Sequence, residues 1–128
     1  MILKDKPIGF AKEICPNTIE ILQGIGGINT AGLAILLPHS RLPVHKDPTG
    51  ATYGTMAFNM LLYGEKSTLI VGESYELIGK SYELIGKSYA YEHKVGKAVL
   101  FNSELPHYAR NDSDDIRTIL YMDIALNP

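Results

Sequence analysis

The chain has 128 residues, of which 45% are hydrophobic and 20% are charged, and its formal net charge is −2. This length and balance suit one globular domain, and the weak negative charge gives no indication of a nucleic-acid partner or of binding to an anionic membrane. A single cysteine, Cys15, excludes an intramolecular disulfide framework and fits a reducing, cytoplasmic location. No signal-peptide pattern is visible at the start, and no apolar run is long enough to span a bilayer.

The predicted elements begin with an irregular or short-strand lead-in over residues 1–15. Pro16 and Asn17 suit the start of a helix, and the glycine cluster at 24–27 suits its end. Beyond the helix, β-branched and aromatic residues alternate with turn residues, which is typical of strands. The strands are predicted at 32–37, 52–63, 67–71, 97–101 and 116–125. Many short strands favour a sandwich or barrel, in one domain over residues 1–128.

A seven-residue repeat interrupts this pattern. SYELIGK occurs at 74–80 and again at 81–87, and a decayed copy, SYAYEHK, follows at 88–94. A coiled coil is disfavoured because three heptads are short and the first two contain glycine. A strand is awkward because an odd period sends equivalent residues to opposite faces. We therefore interpret 74–94 as an insertion that lengthens one hairpin, which surface loops tolerate well; a flap that binds substrate or a partner is the alternative.

Two polar segments about 60 residues apart carry the candidate chemistry. LPVHKDPTG places His45 and Asp47 in an H-x-D arrangement, and SELPHYARNDSDDIRT contains His107. On an extended backbone His45 and Asp47 share a face, and a two-sheet fold can bring His107 to the same ion. Two imidazoles and one carboxylate form the facial triad of non-haem Fe(II) oxygenases, which leaves open positions for a co-substrate and O₂.

Arg117 follows the second segment and lies in IRTILYMDI, an otherwise apolar strand. A guanidinium there is costly unless its charge is matched. The carboxylate of a bound dicarboxylate such as 2-oxoglutarate would match it with two parallel hydrogen bonds. A salt bridge to Asp112, Asp114 or Asp115, or simple exposure, is the alternative.

Other polar residues carry weaker signals. His39 and His93 are interpreted as surface or structural residues. The acidic cluster at 112–115 lacks the spacing of an EF-hand and is interpreted as a solvated turn. Ser103, just before the distal motif, is predicted either to contact the co-substrate or to cap a turn.

The segments PHSRLPVHKDPTG and VGKAVLFNSELPHYARNDSDDIRTILYMDI resemble the aspartyl/asparaginyl β-hydroxylase family, and the resemblance covers roughly residues 14–126. It implies a double-stranded β-helix, the jelly-roll or cupin-like fold, here dominated by β-strands with a short N-terminal helix. It also implies Fe(II), 2-oxoglutarate and O₂ as cofactor and co-substrates. By the same resemblance, His45 and His107 are iron ligands and Arg117 anchors 2-oxoglutarate.

Asp47 and Asn59 mark where the chain follows or departs from that family. Some peptide-hydroxylating members have glycine where Asp47 stands; a chain that keeps the carboxylate is in this respect similar to members acting on free amino acids, such as proline hydroxylases. Members often carry R-x-H on the strand after the first motif, where this chain reads TMAFNMLLYG. Asn59 is the predicted stand-in, and it can donate hydrogen bonds but carries no charge.

The sequence thus predicts an Fe(II)- and 2-oxoglutarate-dependent dioxygenase that hydroxylates a carbon of an amino acid, free or peptidyl, with an Asp/Asn- or Pro-like substrate. Its expected partners are a small-molecule or peptide substrate, with no nucleic acid and no membrane, and exposed strand edges allow a homodimer. Two alternatives stay open: a metal-binding cupin module without turnover, and a cupin isomerase that uses the metal without redox chemistry.

Overall fold

A computed structural model describes residues 2–3, 6–7, 16–25, 28–47 and 55–125. Cys15, the glycines at 26 and 27, and residues 48–54 lie outside the described residues. The described elements, in chain order, are β1 (Ile2–Leu3), β2 (Lys6–Pro7), α1 (Pro16–Ile25), β3 (Ile28–Leu36), β4 (Ser40–Arg41), β5 (Thr55–Tyr63), β6 (Ser67–Ile78), β7 (Ser81–Glu92), β8 (Ala98–Phe101), β9 (His107–Asn111) and β10 (Arg117–Ala125). No helix among them is long and apolar enough to cross a membrane.

The strands form two antiparallel sheets. The larger has the order β2-β1-β3-β10-β5-β8, and the smaller has the order β4-β9-β6-β7. Consecutive strands of the chain, such as β8, β9 and β10, alternate between the two sheets, as in a jelly roll. Together with the short helix α1, this arrangement confirms the predicted fold class.

The inner faces of the sheets build the core that carries the site. In β9 the burial alternates, so that His107, Ala109 and Asn111 are buried whereas Arg110 is exposed. Leu69 and Val71 of β6 pack with Ala57 and Phe101 of the larger sheet. Because the alternation has period two, β9 commits one face to this interior.

Four strands differ from their predicted bounds. β8 and β10 each begin one residue later than predicted, but β3 begins at Ile28 rather than at residue 32. β6 was expected to end before Gly72, yet it continues to Ile78. Gly72 does not end the strand because its missing side chain leaves room for Leu84, which would lie 2.8 Å from an added Cβ.

The repeat lies in the hairpin formed by β6 and β7. The first copy pairs with the second, with Tyr75 opposite Leu84 and Leu77 opposite Tyr82. The rings of Tyr75 and Tyr82 lie 4.8 Å apart. An odd period would send equivalent residues to opposite faces if both copies lay on one strand. Here the two copies run in opposite directions on different strands, so this does not arise. Gly79 at the tip has φ +67°, a conformation suited to glycine in a two-residue hairpin turn.

The turn between β9 and β10 is organised by Asn111, which is fully buried. Its Nδ2 donates to the carbonyls of Leu36 and Asp115 at 3.1 and 2.8 Å, and its Oδ1 accepts from the Ser113 N–H at 3.0 Å. These bonds fix the chain just before Arg117. The turn is therefore a rigid support for the first residue of β10 rather than a loose loop.

Candidate active site

Backbone hydrogen bonds tie the first candidate ligand segment to the second. The His45 N–H donates to the carbonyl of His107 at 3.0 Å, and the His107 N–H donates to the carbonyl of His45 at 2.8 Å. Two residues further on, the Asp47 N–H donates to the carbonyl of Ser103 at 2.9 Å. These bonds bring His45 and Asp47, which are neighbours in sequence, next to His107 from a remote segment.

The hydrogen bonds of both imidazoles leave one ring nitrogen free to bind a metal. Nδ1 of His45 lies 2.7 Å from the carbonyl of Pro43, and Nδ1 of His107 lies 2.7 Å from the carbonyl of Leu105. A carbonyl only accepts, so each Nδ1 must carry the proton and each neutral ring has its lone pair on Nε2. The two Nε2 atoms lie 3.4 and 3.6 Å from the carboxylate oxygens of Asp47. The ligand atoms of the three residues are all within 4.8 Å of one another.

The electrostatics of this cluster fit a cation. Two nitrogen lone pairs and a carboxylate that face one another repel unless a proton or a metal ion lies among them. The hydrogen bond to Asp47 raises the pKa of His45, because the carboxylate favours the protonated ring. Burial alone would raise the pKa of Asp47, but the two facing imidazoles outweigh burial and hold it well below its usual range. A donor set of two imidazoles and one carboxylate, with both rings oriented by backbone carbonyls, is suited to a divalent transition metal.

Arg117 is buried, with 3% of its surface exposed, and it forms no ion pair with the described residues. Both alternatives for this residue, exposure and a salt bridge to the acidic turn, are therefore wrong. The three acids are paired elsewhere: Asp112 with Arg110, Asp114 with His39, and Asp115 with Tyr63. Burial lowers the pKa of Arg117 to about 10. Its Nη1 donates to Ser67 Oγ at 3.3 Å, whereas its Nε has no partner among the described residues.

One cavity of about 170 Å³ joins the histidine–aspartate cluster to Arg117. Its wall also contains apolar side chains from both sheets and a few polar ones. The lining residues are Ala34, Leu42, His45, Asp47, Ala57, Asn59, Leu69, Phe101, His107, Ala109, Arg117, Ile119, Tyr121, Met122 and Asp123. The volume is below the ~300–1,000 Å³ typical of drug-sized pockets. It suits a small co-substrate and the reacting end of a larger substrate.

The other predicted cofactor contacts lie in different settings. Asn59 is half-buried and lines the cavity. Ser103 is fully buried; its carbonyl accepts from Asp47, and its hydroxyl has no partner among the described residues. Ser103 is therefore placed to orient Asp47, and the contact of its hydroxyl with a co-substrate stays a prediction.

Two groups of residues near the site were missed by sequence reasoning. Tyr121 and Asp123 line the cavity, and Asp123 Oδ2 accepts from the Thr30 hydroxyl at 2.6 Å. The signal was available, because 117, 121 and 123 share one face of a strand with period two. His93 was interpreted as surface or structural, and the surface interpretation is wrong: it is 4% exposed and lies 2.7 Å from Ser67 Oγ.

Comparison with known proteins links this geometry to relatives. The chain is 28% identical over 111 residues to the ornithine lipid ester-linked acyl 2-hydroxylase of Rhizobium tropici, and these residues make up 87% of this chain. The chain spans about a third of that protein's length, since the match covers 34% of it.

The fold has counterparts among solved structures. Oxalate oxidase in complex with glycolate matches with a TM-score of 0.55 at 19% identity, over 80% of this chain and 44% of that one. The CENP-C cupin domain of Drosophila melanogaster matches with a TM-score of 0.50 at 10% identity, over 73% and 55% of the two chains. These likenesses establish the cupin fold alone. At the level of sequence, the Aspartyl/Asparaginyl beta-hydroxylase family matches residues 2–126, and the chain belongs to that family.

Proposed function

We propose that this protein is an Fe(II)- and 2-oxoglutarate-dependent dioxygenase that hydroxylates a carbon centre of an amino acid, free or within a peptide. The observation that carries the proposal is the composition of one cavity. A three-ligand cluster suited to a metal and a buried guanidinium without a carboxylate partner line the same space. A metal-binding module that takes no anionic ligand would have no use for the unmatched Arg117, and activity without O₂ would distinguish an isomerase.

In this proposal His45, Asp47 and His107 hold the iron. The Nδ1 hydrogen bonds to backbone carbonyls keep both rings oriented, so little rearrangement is needed when the ion binds. When bound, iron supplies the redox chemistry by which 2-oxoglutarate, O₂ and a C–H group are converted to succinate, CO₂ and an alcohol. Three protein ligands leave open coordination positions for that chemistry.

Arg117 holds the distal carboxylate of 2-oxoglutarate. A planar guanidinium matches a carboxylate with two parallel hydrogen bonds, and its charge is undiminished because no acid of the described residues lies within 4 Å. The apolar wall near it, which includes Leu69 and Ile119, keeps bulk water from screening the pair. The co-substrate is thereby aligned between Arg117 and the metal ligands.

Substrate would enter beside the polar part of the wall. Asn59, Tyr121 and Asp123 offer a neutral donor, a hydroxyl and a carboxylate to the cavity. One oxygen of Asp123 is engaged by Thr30. These groups suit the polar groups of an amino acid.

A second candidate substrate is an acyl chain. The relative from Rhizobium tropici is named for hydroxylating the ester-linked acyl group of an ornithine lipid. Much of the cavity wall is aliphatic, and the repeat hairpin exposes apolar side chains, including Leu77, Ile78 and Tyr89. An apolar chain would be accommodated by such surfaces at little cost in desolvation.

Succinate release tests the proposal. The Fe(II)-loaded protein is incubated with 2-oxoglutarate and O₂ and with three sets of candidates: free amino acids, short Asp-, Asn- or Pro-containing peptides, and detergent-dispersed ornithine lipids. We expect succinate formation that is stimulated by members of one set and abolished in Arg117→Met. Turnover of a substrate under anaerobic conditions without 2-oxoglutarate would favour the isomerase and contradict the proposal.

A further inference from the structure

Behind Arg117 lies a buried hydrogen-bonded pair that the proposed chemistry does not use. His93 and Ser67 are 4% and 0% exposed. They are joined twice: the His93 N–H donates to the Ser67 carbonyl at 2.8 Å, and His93 Nδ1 lies 2.7 Å from Ser67 Oγ. The pair closes the base of the β6–β7 hairpin, one residue beyond the last paired positions, Thr68 and Glu92.

The protons in this group can be assigned from its connections. Arg117 can only donate, so its Nη1–H is directed to Ser67 Oγ. The single hydroxyl proton of Ser67 is then free to go to His93 Nδ1, which acts as acceptor. The neutral ring must carry its proton on Nε2, and this atom has no hydrogen-bond partner among the described residues. Burial, and secondarily the charge of Arg117, lower the pKa of His93 to about 4, so the ring is neutral at ordinary pH.

We propose that His93 is a positioning residue for co-substrate binding: through Ser67 it holds the Arg117 guanidinium in the orientation that receives the distal carboxylate of 2-oxoglutarate. The inference rests on the proposed function. His93 is not placed among the residues that touch the ligand, and its effect passes through Arg117.

The chemistry of the support explains why a neutral residue stands at this position. A carboxylate in place of His93 would form a buried ion pair and cancel the charge that attracts the ligand. An apolar residue would leave the Ser67 hydroxyl without an acceptor and the guanidinium free to rotate about its long side chain. A neutral imidazole accepts the hydrogen bond, fixes the rotamer and leaves the full positive charge for the dicarboxylate.

Selectivity for the distal carboxylate is the property to measure. 2-Oxopentanoate has the carbon chain of 2-oxoglutarate but ends in a methyl group. Dissociation constants for both compounds would be determined by isothermal titration calorimetry on protein loaded with Mn(II) in place of iron, so that no turnover occurs. The ratio of the two constants reports the contribution of Arg117, whereas a general loss of fold integrity weakens both compounds alike.

Four variants separate the outcomes. His93→Leu and Ser67→Ala are expected to lower the selectivity ratio about tenfold, which corresponds to ~1.4 kcal/mol. His93→Asn, whose amide can take the place of Nδ1, should keep the ratio within about threefold of wild type. His39→Leu, at an exposed histidine paired with Asp114, is the matched control and should leave it unchanged. Ser67→Ala removes a single oxygen, so it preserves the test if His93→Leu does not fold.

Two results would overturn the inference. If Ser67→Ala or a folded His93→Leu keeps the wild-type ratio, or weakens the binding of both compounds equally, His93 has no positioning role. If the wild-type protein itself does not prefer 2-oxoglutarate to 2-oxopentanoate, the proposed function fails and the inference fails with it. The first result leaves the proposed function standing, so the two failures are distinguishable.

Discussion

Replacing Arg117 by methionine should make the ligand-free protein more stable while removing co-substrate binding. The guanidinium is 3% exposed and has no acidic partner among the described residues. Burial lowers its pKa from 12.5 to about 10, which at ~1.4 kcal/mol per pKa unit corresponds to a cost of about 3 kcal/mol for keeping it charged in the fold. Methionine has a similar length and carries no charge, so it removes that cost.

The net gain in unfolding free energy is smaller than the cost of burying the charge. Arg117→Met also removes the hydrogen bond to Ser67, which at 3.3 Å is long and is worth ~0.5–1.5 kcal/mol. We therefore expect the variant to be about 1.5–2.5 kcal/mol more stable than wild type in the absence of ligands. For a chain of this size that raises Tm by roughly 4–12 °C.

Calorimetric melting with and without ligand checks both halves of the prediction. Saturating 2-oxoglutarate with Mn(II) should stabilise wild type by about 3 kcal/mol at a hundredfold excess over Kd, and it should leave Arg117→Met unchanged relative to Mn(II) alone. The order of stability of the two proteins then reverses when the ligand is added. Arg110→Met, at an exposed arginine paired with Asp112, is the control and should shift stability by less than ~0.5 kcal/mol in both conditions. A destabilised Arg117→Met that still responds to 2-oxoglutarate would show that Arg117 neither carries this cost nor holds the co-substrate.

Three further predictions concern the metal, the hairpin and pH. Asp47→Ala should weaken Fe(II) binding by more than the ~10–100-fold typical of residues that only orient ligands, as measured by competition with a chelator. Undiminished succinate production by this variant would show that the two histidines suffice to hold the iron. Deletion of residues 74–87 leaves Gly72, Glu73 and Ser88 as a three-residue turn above an unchanged hairpin base. The affinities for Mn(II) and 2-oxoglutarate should therefore stay within about twofold of wild type. Loss of both affinities would show that the repeat supports the site. The folded-state pKa of His93 is about 4, whereas its ordinary value is 6.5, so the unfolded chain binds the proton first as pH falls. The stability that the neutral His93 contributes is therefore intact above pH 6.5 and is lost as pH falls towards 4. Over that range, chemical denaturation should show that the free energy of unfolding of wild type falls by about 3 kcal/mol relative to that of His93→Asn. Parallel curves of unfolding free energy against pH for the two proteins would exclude a buried neutral His93.

The central features of the site could be predicted because they depend on residue type and local spacing. The spacing of His45 and Asp47 places both on one face of an extended backbone, and an arginine in an apolar strand is costly unless its charge is matched. The strand over 116–125 was predicted, and its period of two fixes the side on which Arg117 lies, whereas β9 was not among the predicted strands. Asp123 belongs to the same face and could have been included by extending that argument.

The features that were missed depend on contacts between remote segments. His93 lies in the decayed third copy of the repeat among exposed polar and aromatic residues, and only the closing of the hairpin on Ser67 buries it. β6 passes through Gly72 because Leu84 from the opposite strand occupies the space above it. Pairing of the two heptads in opposite directions removes the conflict that an odd period creates within one strand. None of these contacts has a signature within a short window of sequence.

In the proposed function, one cavity binds a metal through His45, Asp47 and His107 and holds 2-oxoglutarate at Arg117. An anaerobic titration of the Fe(II)-loaded protein with 2-oxoglutarate tests both halves at once, because a 2-oxo acid that chelates ferrous iron gives a visible charge-transfer absorption. We expect a saturable band for wild type, a much higher 2-oxoglutarate concentration for half-saturation in Arg117→Met, and loss of the band in Asp47→Ala through loss of iron. Iron binding without any such band, or a band whose concentration dependence is the same in Arg117→Met, would show that the cavity does not hold 2-oxoglutarate in this way.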